Sequence, residues 1–397
     1  MKYFIIPFVS TLLLSVSGNA PTGVAEKGEK TKNSDGSLRE IVKEKFPENN
    51  VYIGATSFYQ RIEGNHAESK ILAKEFSYIT PANSFKQTYV HPEPGKWRWE
   101  QPDAWIKYAE ENNQYVRIHG PIAPQASRWA MEDNRSAKEL EKNLEEYMTA
   151  LCKRYNGHEK VLWMDVINET INSDGSWHKA KPGFKWEMPW ERIGYEVLDD
   201  ATSAKYPGLG GTIPKYIIQA FRIATKHAPD IKLVINQHLG MEEEVWKKMK
   251  DLVLYLRSLG FRVDGIGWQA HVKLTEGGGM YWETGTLNTK DMDYLSGLIT
   301  WAHNHNLEFH VTENNIHVKP GDEGKESEYA AIYGAIMNTL LEKRHSGVVT
   351  WNLWTVSNAK NFRSGNMMIG LYDKNNKPTK SYFELKRLLE NPPKGTR

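Results

Sequence analysis

The sequence predicts one α/β domain with the architecture of a (β/α)8 TIM barrel, in which eight parallel strands alternate with helices. Short apolar runs bounded by polar turn residues recur along the chain, as expected of strands that are buried on both faces. Amphipathic helical patterns separate these runs, which favours βα units and a parallel sheet. The number of runs and the length of 397 residues suit a closed barrel better than an open sheet.

Eight apolar runs are predicted as the barrel strands. The clearest is the fourth, where the run stops abruptly at Asn168 and Glu169. The predicted strands cover residues 51–55, 77–80, 115–119, 161–167, 231–235, 263–268, 308–312 and 347–351.

The clearest predicted helix covers residues 137–155. Ser136 and Glu139 form a capping box before it, an apolar stripe runs along it, and Gly157 ends it. Further helices are predicted over residues 243–259 and 325–344.

Composition excludes several classes of function. The 51 Lys and Arg residues nearly balance the 49 Asp and Glu residues, so charge implies neither a nucleic acid nor an anionic membrane as a partner. The single cysteine, Cys152, cannot form an intrachain disulfide, and its place in an apolar stripe favours a buried, inert thiol over a nucleophile. The 14 Trp residues can be core, but Trp also stacks on sugar rings.

Two predicted strands end in carboxylates, Glu169 and Glu313. In a (β/α)8 barrel the carboxyl ends of all strands meet at one face, where the chemistry is placed. One such Glu is as readily structural as catalytic. Two of them at one barrel mouth match the machinery of glycoside hydrolysis, which uses a pair of carboxyl groups.

Other polar and aromatic residues follow the predicted strands. We expect them at the same face of the barrel, since a structural protein has no reason to gather them there. They are Asn83, Lys86, His119, Gln125, Asn168, Asn236, Gln269, His271, Trp351 and Trp354.

Four motifs resemble glycoside hydrolase family 10, a family of retaining endo-β-1,4-xylanases, and the resemblance covers residues 42–389. Asp-Val-Ile-Asn-Glu ending at Glu169 resembles the family's acid/base motif. Val-Thr-Glu-Asn-Asn-Ile around Glu313 resembles its nucleophile motif, with two Asn in place of Leu-Asp. Residues 81–86 resemble Pro-Glu-Asn-Ser-Met-Lys with Ala82 for Glu, and residues 267–271 match Gly-x-Gln-x-His.

The resemblance implies a role for each candidate. Glu169 is the general acid/base and Glu313 the nucleophile, with carboxyl groups about 5–5.5 Å apart. We expect the acid to stay protonated near neutral pH and the nucleophile to stay ionised. Asn168 would bind the sugar 2-hydroxyl, and His271 would orient Glu313, although a core histidine is the alternative.

The remaining candidates are expected to bind sugar. Trp351 is the expected floor under the reacting sugar, and Trp354 is a further sugar-binding candidate for which a core position is the alternative. Lys86 could also be a plain surface lysine. The expected sugar ligands on the non-reducing side are Asn83, Lys86 and His119, and the other substrate-binding candidates are Gln125, Asn236 and Gln269.

The third strand departs from the family pattern. A Trp and a second His are replaced by about Ala123 and Pro124, which changes the wall beside the reacting sugar. Xylan remains the leading polysaccharide substrate. A hydrolase or transglycosylase acting on another β-linked glycan, and a non-catalytic carbohydrate-binding barrel, stay open as alternatives. No cofactor or metal is expected, and neither is a nucleic acid partner; a monomer is expected.

The long segment 172–195 after the fourth strand is rich in aromatic residues. Loops of this length inside a barrel are usually functional, so we predict that some of the rings line the cleft. A self-packed aromatic cluster is the alternative. The rings are Trp177, Phe184, Trp186, Trp190 and Tyr195.

The amino-terminal residues predict export. Residues 1–20 read as a signal peptide, with Lys2, an apolar run and a small-x-small ending at Ala20, and no lipoprotein cysteine follows. Residues 21–37 are predicted as a disordered linker, 38–392 as the catalytic barrel domain and 393–397 as a tail. We therefore expect a secreted or periplasmic enzyme without a membrane span.

Overall fold

The computed structural model describes residues 36–64, 66–132, 134–183, 187–273, 289–361 and 364–395. The predicted signal peptide, most of the predicted linker and the last two residues of the tail lie outside the described residues. So do Phe184 and Trp186 of the aromatic segment.

Eight parallel strands form a closed barrel, as the sequence predicts. Each pairs with the next along the chain, and β8 closes the barrel by pairing with both β7 and β1. The strands are β1 (Val51–Ser57), β2 (Tyr78–Pro81), β3 (Tyr115–Ile118), β4 (Val161–Asn168), β5 (Lys232–Gln237), β6 (Gly265–Trp268), β7 (Glu308–Val318) and β8 (Val349–Leu353).

One major helix follows each strand, which completes the (β/α)8 pattern. These helices are α1 (Ala67–Glu75), α2 (Glu100–Glu111), α3 (Ala137–Tyr155), α4 (Lys215–His227), α5 (Glu243–Ser258), α6 (Thr289–Asn304), α7 (Glu326–Lys343) and α8 (Lys380–Glu390). The helix Leu38–Lys45 precedes the barrel. Shorter helical segments are Tyr59–Glu63, Gln87–Val90, Arg128–Met131, Pro189–Ile193, Asp200–Lys205 and Pro207–Leu209.

The predicted features of α3 are confirmed. Ser136 Oγ accepts a hydrogen bond from the backbone N–H of Glu139, and the Glu139 carboxylate accepts one from the backbone N–H of Ser136. This exchange satisfies N–H groups that a helix start otherwise leaves unpaired. Cys152 on the inner face of α3 is buried, and burial raises the pKa of its thiol to about 12, which makes it inert at physiological pH.

The barrel mouth carries short extra strands that the sequence pattern does not reveal. β7 is longer than predicted, and its last residues pair with His271–Lys273 and with Met367–Ile369. Ala359–Lys360 adds to this extension, and Tyr195–Val197 pairs separately with Thr212–Pro214. The register of β7 against β8 shifts between Val311 and Asn314, so the strand is irregular where Glu313 stands. No helix among the described residues is long and apolar enough to cross a membrane.

Candidate active site

A cleft of about 570 Å³ lies at the carboxyl ends of the barrel strands. Both candidate carboxylates, Glu169 after β4 and Glu313 in β7, line it. The other predicted site residues that line it are Asn83, Lys86, His119, Gln125, Asn168, His271 and Trp354. Side chains from segments more than 140 residues apart in sequence therefore meet in one place, as the barrel topology requires.

Glu169 leaves β4 with a backbone conformation that is unusual for its residue type. Its φ is 58°, in the left-handed region that residues other than Gly, Asn and Asp rarely adopt. Its N–H donates to the carbonyl of Asn236 at 3.1 Å, and its own carbonyl lies 3.0 Å from Nδ1 of His178. Neighbouring loops thus hold the turn that sends the carboxylate into the cleft.

Three more non-glycine residues at the barrel mouth share this left-handed conformation. They are Gln125, Leu239 and Ala270, with φ of 65°, 81° and 58°. The other non-glycine residues with positive φ among those described are all Asn, which tolerates the conformation. Backbone strain is therefore concentrated around the cleft.

A network of side-chain amides connects the two carboxylates. Asn236 Nδ2 donates to Glu313 Oε1 and to Asn168 Oδ1, both at 2.8 Å. Gln269 Nε2 donates to the same Asn168 oxygen at 3.2 Å and to Glu169 Oε1 at 3.0 Å. Asn236 and Gln269 are buried behind the cleft rather than in its wall, so we infer that they position the carboxylates.

A glycine makes room for this network. A Cβ at Gly267 on β6 would stand 2.8 Å from Asn236 Oδ1 and 2.8 Å from Thr312 Cγ2, closer than side chains pack. The same Asn236 oxygen accepts a hydrogen bond from Thr312 Oγ1 at 2.7 Å. Gly267 therefore lets the amide of Asn236 approach β6 closely and face Glu313.

Glu313 is buried and surrounded by hydrogen-bonding groups. His271 Nε2 lies 3.2 Å from Oε2, and His119 Nε2 lies 3.7 Å from Oε1. Asn236 and His271, both within hydrogen-bonding distance, fix the orientation of the carboxylate, and His119 adds a longer contact.

A buried ion pair supports His119. Arg117 donates from both Nε and Nη2 to Asp165, and Asp165 Oδ2 lies 3.1 Å from His119 Nδ1. Burial alone raises the pKa of Asp165, but the Arg117 guanidinium and His119 outweigh it and hold that pKa below its ordinary value. Sequence reasoning identified His119 but missed Arg117 and Asp165 as the groups behind it.

The pKa of Glu169 differs in direction from the sequence expectation. Burial raises the pKa of this carboxyl, but His238, the N–H of Gln269, Lys86 and His178 together hold it below its ordinary value. Burial also lowers the pKa of His238, so this histidine is uncharged at neutral pH. Its positive charge stabilises the Glu169 carboxylate only at acidic pH. The expected protonated acid is therefore not the resting state of the free site.

Of the two tryptophans at the end of β8, Trp354 lines the cleft and Trp351 does not. Trp351 is buried in the core, where its indole N–H donates to Asn314 Oδ1 at 2.9 Å, and it does not line the cleft. Trp354 does line it, with its ring edge-on to His119 and His271 at 6.0 and 5.6 Å between centroids. Trp354, rather than Trp351, therefore presents its ring to the cleft.

The described aromatic rings of segment 172–195 do not line the cleft. Trp177 and Trp190 are buried, and the Trp177 indole donates to the carbonyl of Thr212 at 2.9 Å. Tyr195 packs partly buried against the core and donates to Glu191 at 2.7 Å. These three rings pack against the core and do not face the cleft.

Two regions of the cleft were missed by the sequence analysis. The segment after β1 contributes Arg61 and Glu68, and Glu68 accepts a hydrogen bond from Ser57 at 2.7 Å. The segment after β8 contributes residues as far along as Lys374 and Asn376. Both segments follow barrel strands, and this position was the signal that could have identified them.

Comparison with known proteins agrees with this fold. The Endo-1,4-beta-xylanase A of Caldicellulosiruptor saccharolyticus is 26% identical over 84% of this chain and 92% of its own length. The Endo-1,4-beta-xylanase C of Paenibacillus barcinonensis is 29% identical over 56% of this chain. The aligned part covers only 20% of the length of that protein. The structure of xylanase 10B from Thermotoga petrophila RKU-1 in complex with xylobiose superposes with a TM-score of 0.72, at 23% identity, covering 89% of this chain and 97% of that one.

A second solved structure, the Penicillium canescens endo-1,4-beta-xylanase XylE, gives a TM-score of 0.73 at 20% identity, over 90% of this chain and 99% of the other. At such identities the two structures establish a shared fold. The sequence itself matches the family described as Glycosyl hydrolase family 10 over residues 37–388, nearly the whole described barrel. The chain therefore belongs to glycosyl hydrolase family 10.

Proposed function

We propose that this chain is a retaining endo-1,4-β-xylanase, with Glu169 as general acid/base and Glu313 as nucleophile. The observation that carries the proposal is the amide network that joins these two carboxylates at one barrel mouth. Family membership supports glycoside hydrolysis. The relatives are named endo-1,4-beta-xylanases, and one similar structure was determined with xylobiose, which supports xylan as the substrate.

In the first step, a carboxylate oxygen of Glu313 attacks the anomeric carbon as the bond from that carbon to the leaving oxygen breaks. Glu169 gives its proton to the leaving oxygen. In the second step, Glu169 takes a proton from water, whose oxygen attacks the same carbon and releases Glu313. Two inversions give net retention, and the proton returns to Glu169.

We propose that Asn168 holds the reacting sugar. Its side-chain oxygen accepts from both Asn236 and Gln269, so the amide keeps one orientation. Its Nδ2 lies only loosely against Glu169, at 3.3 Å, on the side that lines the cleft. This donor suits the sugar 2-hydroxyl, a contact that strengthens as the transition state forms.

Substrate binding supplies the protonation state that the free site lacks. A sugar in the cleft removes water from Glu169, and loss of solvation favours the neutral carboxyl. The ionised Glu313 nearby favours it as well, since two neighbouring carboxylates resist a second charge. Proton uptake on binding therefore prepares Glu169 for its role as acid.

The divergent wall after β3 bears on substrate choice. Pro124, near the place of the family's second His, lines the cleft, whereas Ala123, near the place of its Trp, is buried. A small difference in pocket shape discriminates by only about 1–3 kcal/mol. We therefore propose xylan with relaxed rather than switched specificity.

We further propose that the protein is exported through the signal-like residues 1–20, whose composition is the basis for this proposal. Amino-terminal sequencing of the protein recovered from the culture medium or periplasm tests it. A mature chain that begins after Ala20 is the expected result, and an intact Met1 in that fraction would contradict it.

The test of the activity is product analysis on xylan and a panel of other β-linked glycans, with early-time NMR of the anomers. Internal cleavage of xylan with release of the β-anomer is expected. Initial release of the α-anomer would reject the retaining mechanism. Binding of xylan without turnover would instead identify a carbohydrate-binding barrel, and dominant transfer to sugar acceptors would identify a transglycosylase.

A further inference from the structure

The two histidines that flank Glu313 are supported by chemically different groups. His119 lies with Nδ1 3.1 Å from the Asp165 carboxylate. His271 lies with Nδ1 2.8 Å from the side-chain oxygen of Asn315. One histidine is therefore backed by an anion and the other by a neutral amide, although both approach the same carboxylate.

Asn315 follows Glu313 by two residues on β7, and His271 lies between the two side chains. Asn315 is fully buried. With its oxygen toward His271, its Nδ2 has no hydrogen-bond partner among the described residues. A buried N–H without an acceptor is rare in folded proteins, because its lost hydration is not replaced.

A rotation of the amide removes this difficulty. The oxygen and nitrogen of an Asn side chain are told apart only by their hydrogen-bond partners. With the amide turned by half a rotation, Nδ2 of Asn315 faces His271 Nδ1 and donates to it. An oxygen then takes the unpaired place, and a buried oxygen without a donor is tolerated better than an unpaired N–H.

The orientation of the amide decides the charge of His271. If the Asn315 oxygen faces Nδ1, that nitrogen carries a proton, and Nε2 can donate to Glu313 only from a cationic ring. If Nδ2 faces it, the neutral ring carries its proton on Nε2 and still donates to Glu313.

The surroundings of His271 bear on the same choice. Among the described residues, Glu313 is the anion in contact with the ring, and Asn315 adds no second one. Glu169 lines the same cleft, but its carboxylate contacts Asn168 and Gln269. The other titratable groups described near the ring are His317 on β7, with ring centroids 6.0 Å apart, His119 after β3, His238 after β5 and Lys273 on the segment that contains His271 itself. None of these is an anion, and burial opposes a charged ring.

We propose that Asn315 is a positioning residue: it donates its amide N–H to Nδ1 of His271 and so keeps His271 a neutral donor to Glu313. The role for catalysis rests on the proposed function of Glu313 as nucleophile. A neutral donor orients the carboxylate without forming a full ion pair, so the attacking oxygen stays more nucleophilic.

The native protein tests the proposal directly. Long-range proton–nitrogen NMR of histidine-labelled protein distinguishes a ring protonated at Nδ1, at Nε2 or at both nitrogens. The spectra are recorded between about pH 7 and 8, where an ordinary histidine is neutral. The His271 signals are those absent from His271→Gln. A neutral ring protonated at Nε2 is expected. A ring protonated at both nitrogens, or at Nδ1 alone, would overturn the proposal.

This measurement is made on the resting protein and needs no turnover. If Glu313→Ala kept full activity, the nucleophile assignment would fail while the state of His271 would still be read. The two failures are therefore distinguishable.

Asn315→Asp gives a second, independent reading. A carboxylate at this position accepts a hydrogen bond from the protonated Nδ1, so His271 should show two protonated nitrogens over the same pH range. kcat/KM on an aryl β-xylobioside should fall about tenfold, a change of about 1.4 kcal/mol in the barrier. Unchanged His271 signals in the folded variant would count against the proposal.

Asn391→Asp is the matched control, since it makes the same change of residue at the exposed end of α8. It should leave both the His271 signals and kcat/KM as they are in the native protein. If Asn315→Asp does not fold, the tautomer of the native protein still decides.

Discussion

At the scale of single residues, the site distinguishes two carboxylates by the donors around them. Glu313 is enclosed by Asn236, His271 and His119, whereas one oxygen of Glu169 accepts from Gln269 and, at the longer distance of 3.3 Å, from Asn168. The tightly held carboxylate suits attack at carbon, and the more loosely held one suits proton transfer.

Glu313→Ala should lower kcat on xylan by several orders of magnitude, because no other group takes over the attack. Its thermal midpoint should stay close to that of the native protein or rise, since a buried carboxylate is removed. Turnover near the native rate with retained anomeric configuration would show that another residue is the nucleophile.

Glu169→Ala should affect substrates unequally. Aryl glycosides with good leaving groups need little protonation, so their first step should persist, while xylan cleavage is lost. Added azide should then accelerate the second step and give the β-glycosyl azide. Equal loss on both kinds of substrate, without rescue by azide, would remove Glu169 from the acid/base role.

Gln269→Leu should move the alkaline limb of kcat/KM to higher pH. The N–H of Gln269 is one of the groups that lower the pKa of Glu169, so its removal raises that pKa and keeps the acid protonated further into alkali. Gln114→Leu is the control, because Gln114 is equally buried but donates to carbonyls of Leu72 and Phe76 away from the cleft. A shift in both variants, or in neither, contradicts this role.

At the scale of elements, the alternation of apolar runs and helical patterns was sufficient to predict all eight strands. Boundaries differ by one or two residues at the other seven strands, and β7 runs six residues further than predicted. That extension pairs with short segments after β6 and β8, and such pairings across the barrel mouth leave no local pattern in the sequence.

The placement of side chains was predicted less completely than the strands. Trp351 and Trp354 straddle the end of β8, so the strand period alone does not say which ring enters the cleft. Whether the pKa of Glu169 is raised or lowered could not be predicted from the sequence either, because the shift depends on four groups from separate segments.

The segment after β3 carries a prediction about specificity. The native protein should prefer an aryl β-xylobioside over the matched β-cellobioside by on the order of 10–200-fold, the range that a small change in pocket shape allows. Pro124→His restores a bulkier donor at the cleft wall and should enlarge that preference in kcat/KM. Ala123→Trp is the less suitable variant, since Ala123 is buried and a Trp there would overpack its surroundings. An unchanged ratio in Pro124→His would show that this wall does not contact the reacting sugar.

At the scale of the whole molecule, buried neutral histidines make folding sensitive to acid. Burial, together with His271 and Lys273, lowers the pKa of His317 to about 3, against about 6.5 in an unfolded chain. Between these values the unfolded state binds a proton that the folded state does not. His317 therefore leaves the free energy of unfolding unchanged above about pH 6.5. Between about pH 6.5 and 3 it lowers that free energy as the pH falls, by up to about 1.4 kcal/mol per pH unit.

His317→Gln should reduce this slope of stability against pH, measured by urea unfolding from about pH 7 to 4. Burial also lowers the pKa values of His238, His303 and His310, so part of the slope should remain. His345→Gln, at an exposed position, should leave the slope unchanged. If the slopes of native protein and His317→Gln coincide, His317 is charged in the folded protein.

The left-handed residues at the barrel mouth have a consequence for heat adaptation. Each holds backbone energy of about 1–3 kcal/mol that the rest of the barrel must offset. Replacing Leu239 by glycine would lose more in core packing, about 2–5 kcal/mol, than the relaxed backbone returns. Ala270 has almost no side chain to lose, and the added freedom of glycine in the unfolded chain costs only about 0.5–1 kcal/mol. A lineage of this protein moving to hotter surroundings would find its first gain at Ala270, beside Gln269 and His271, while Glu169 would have to keep its strain to serve in its proposed role.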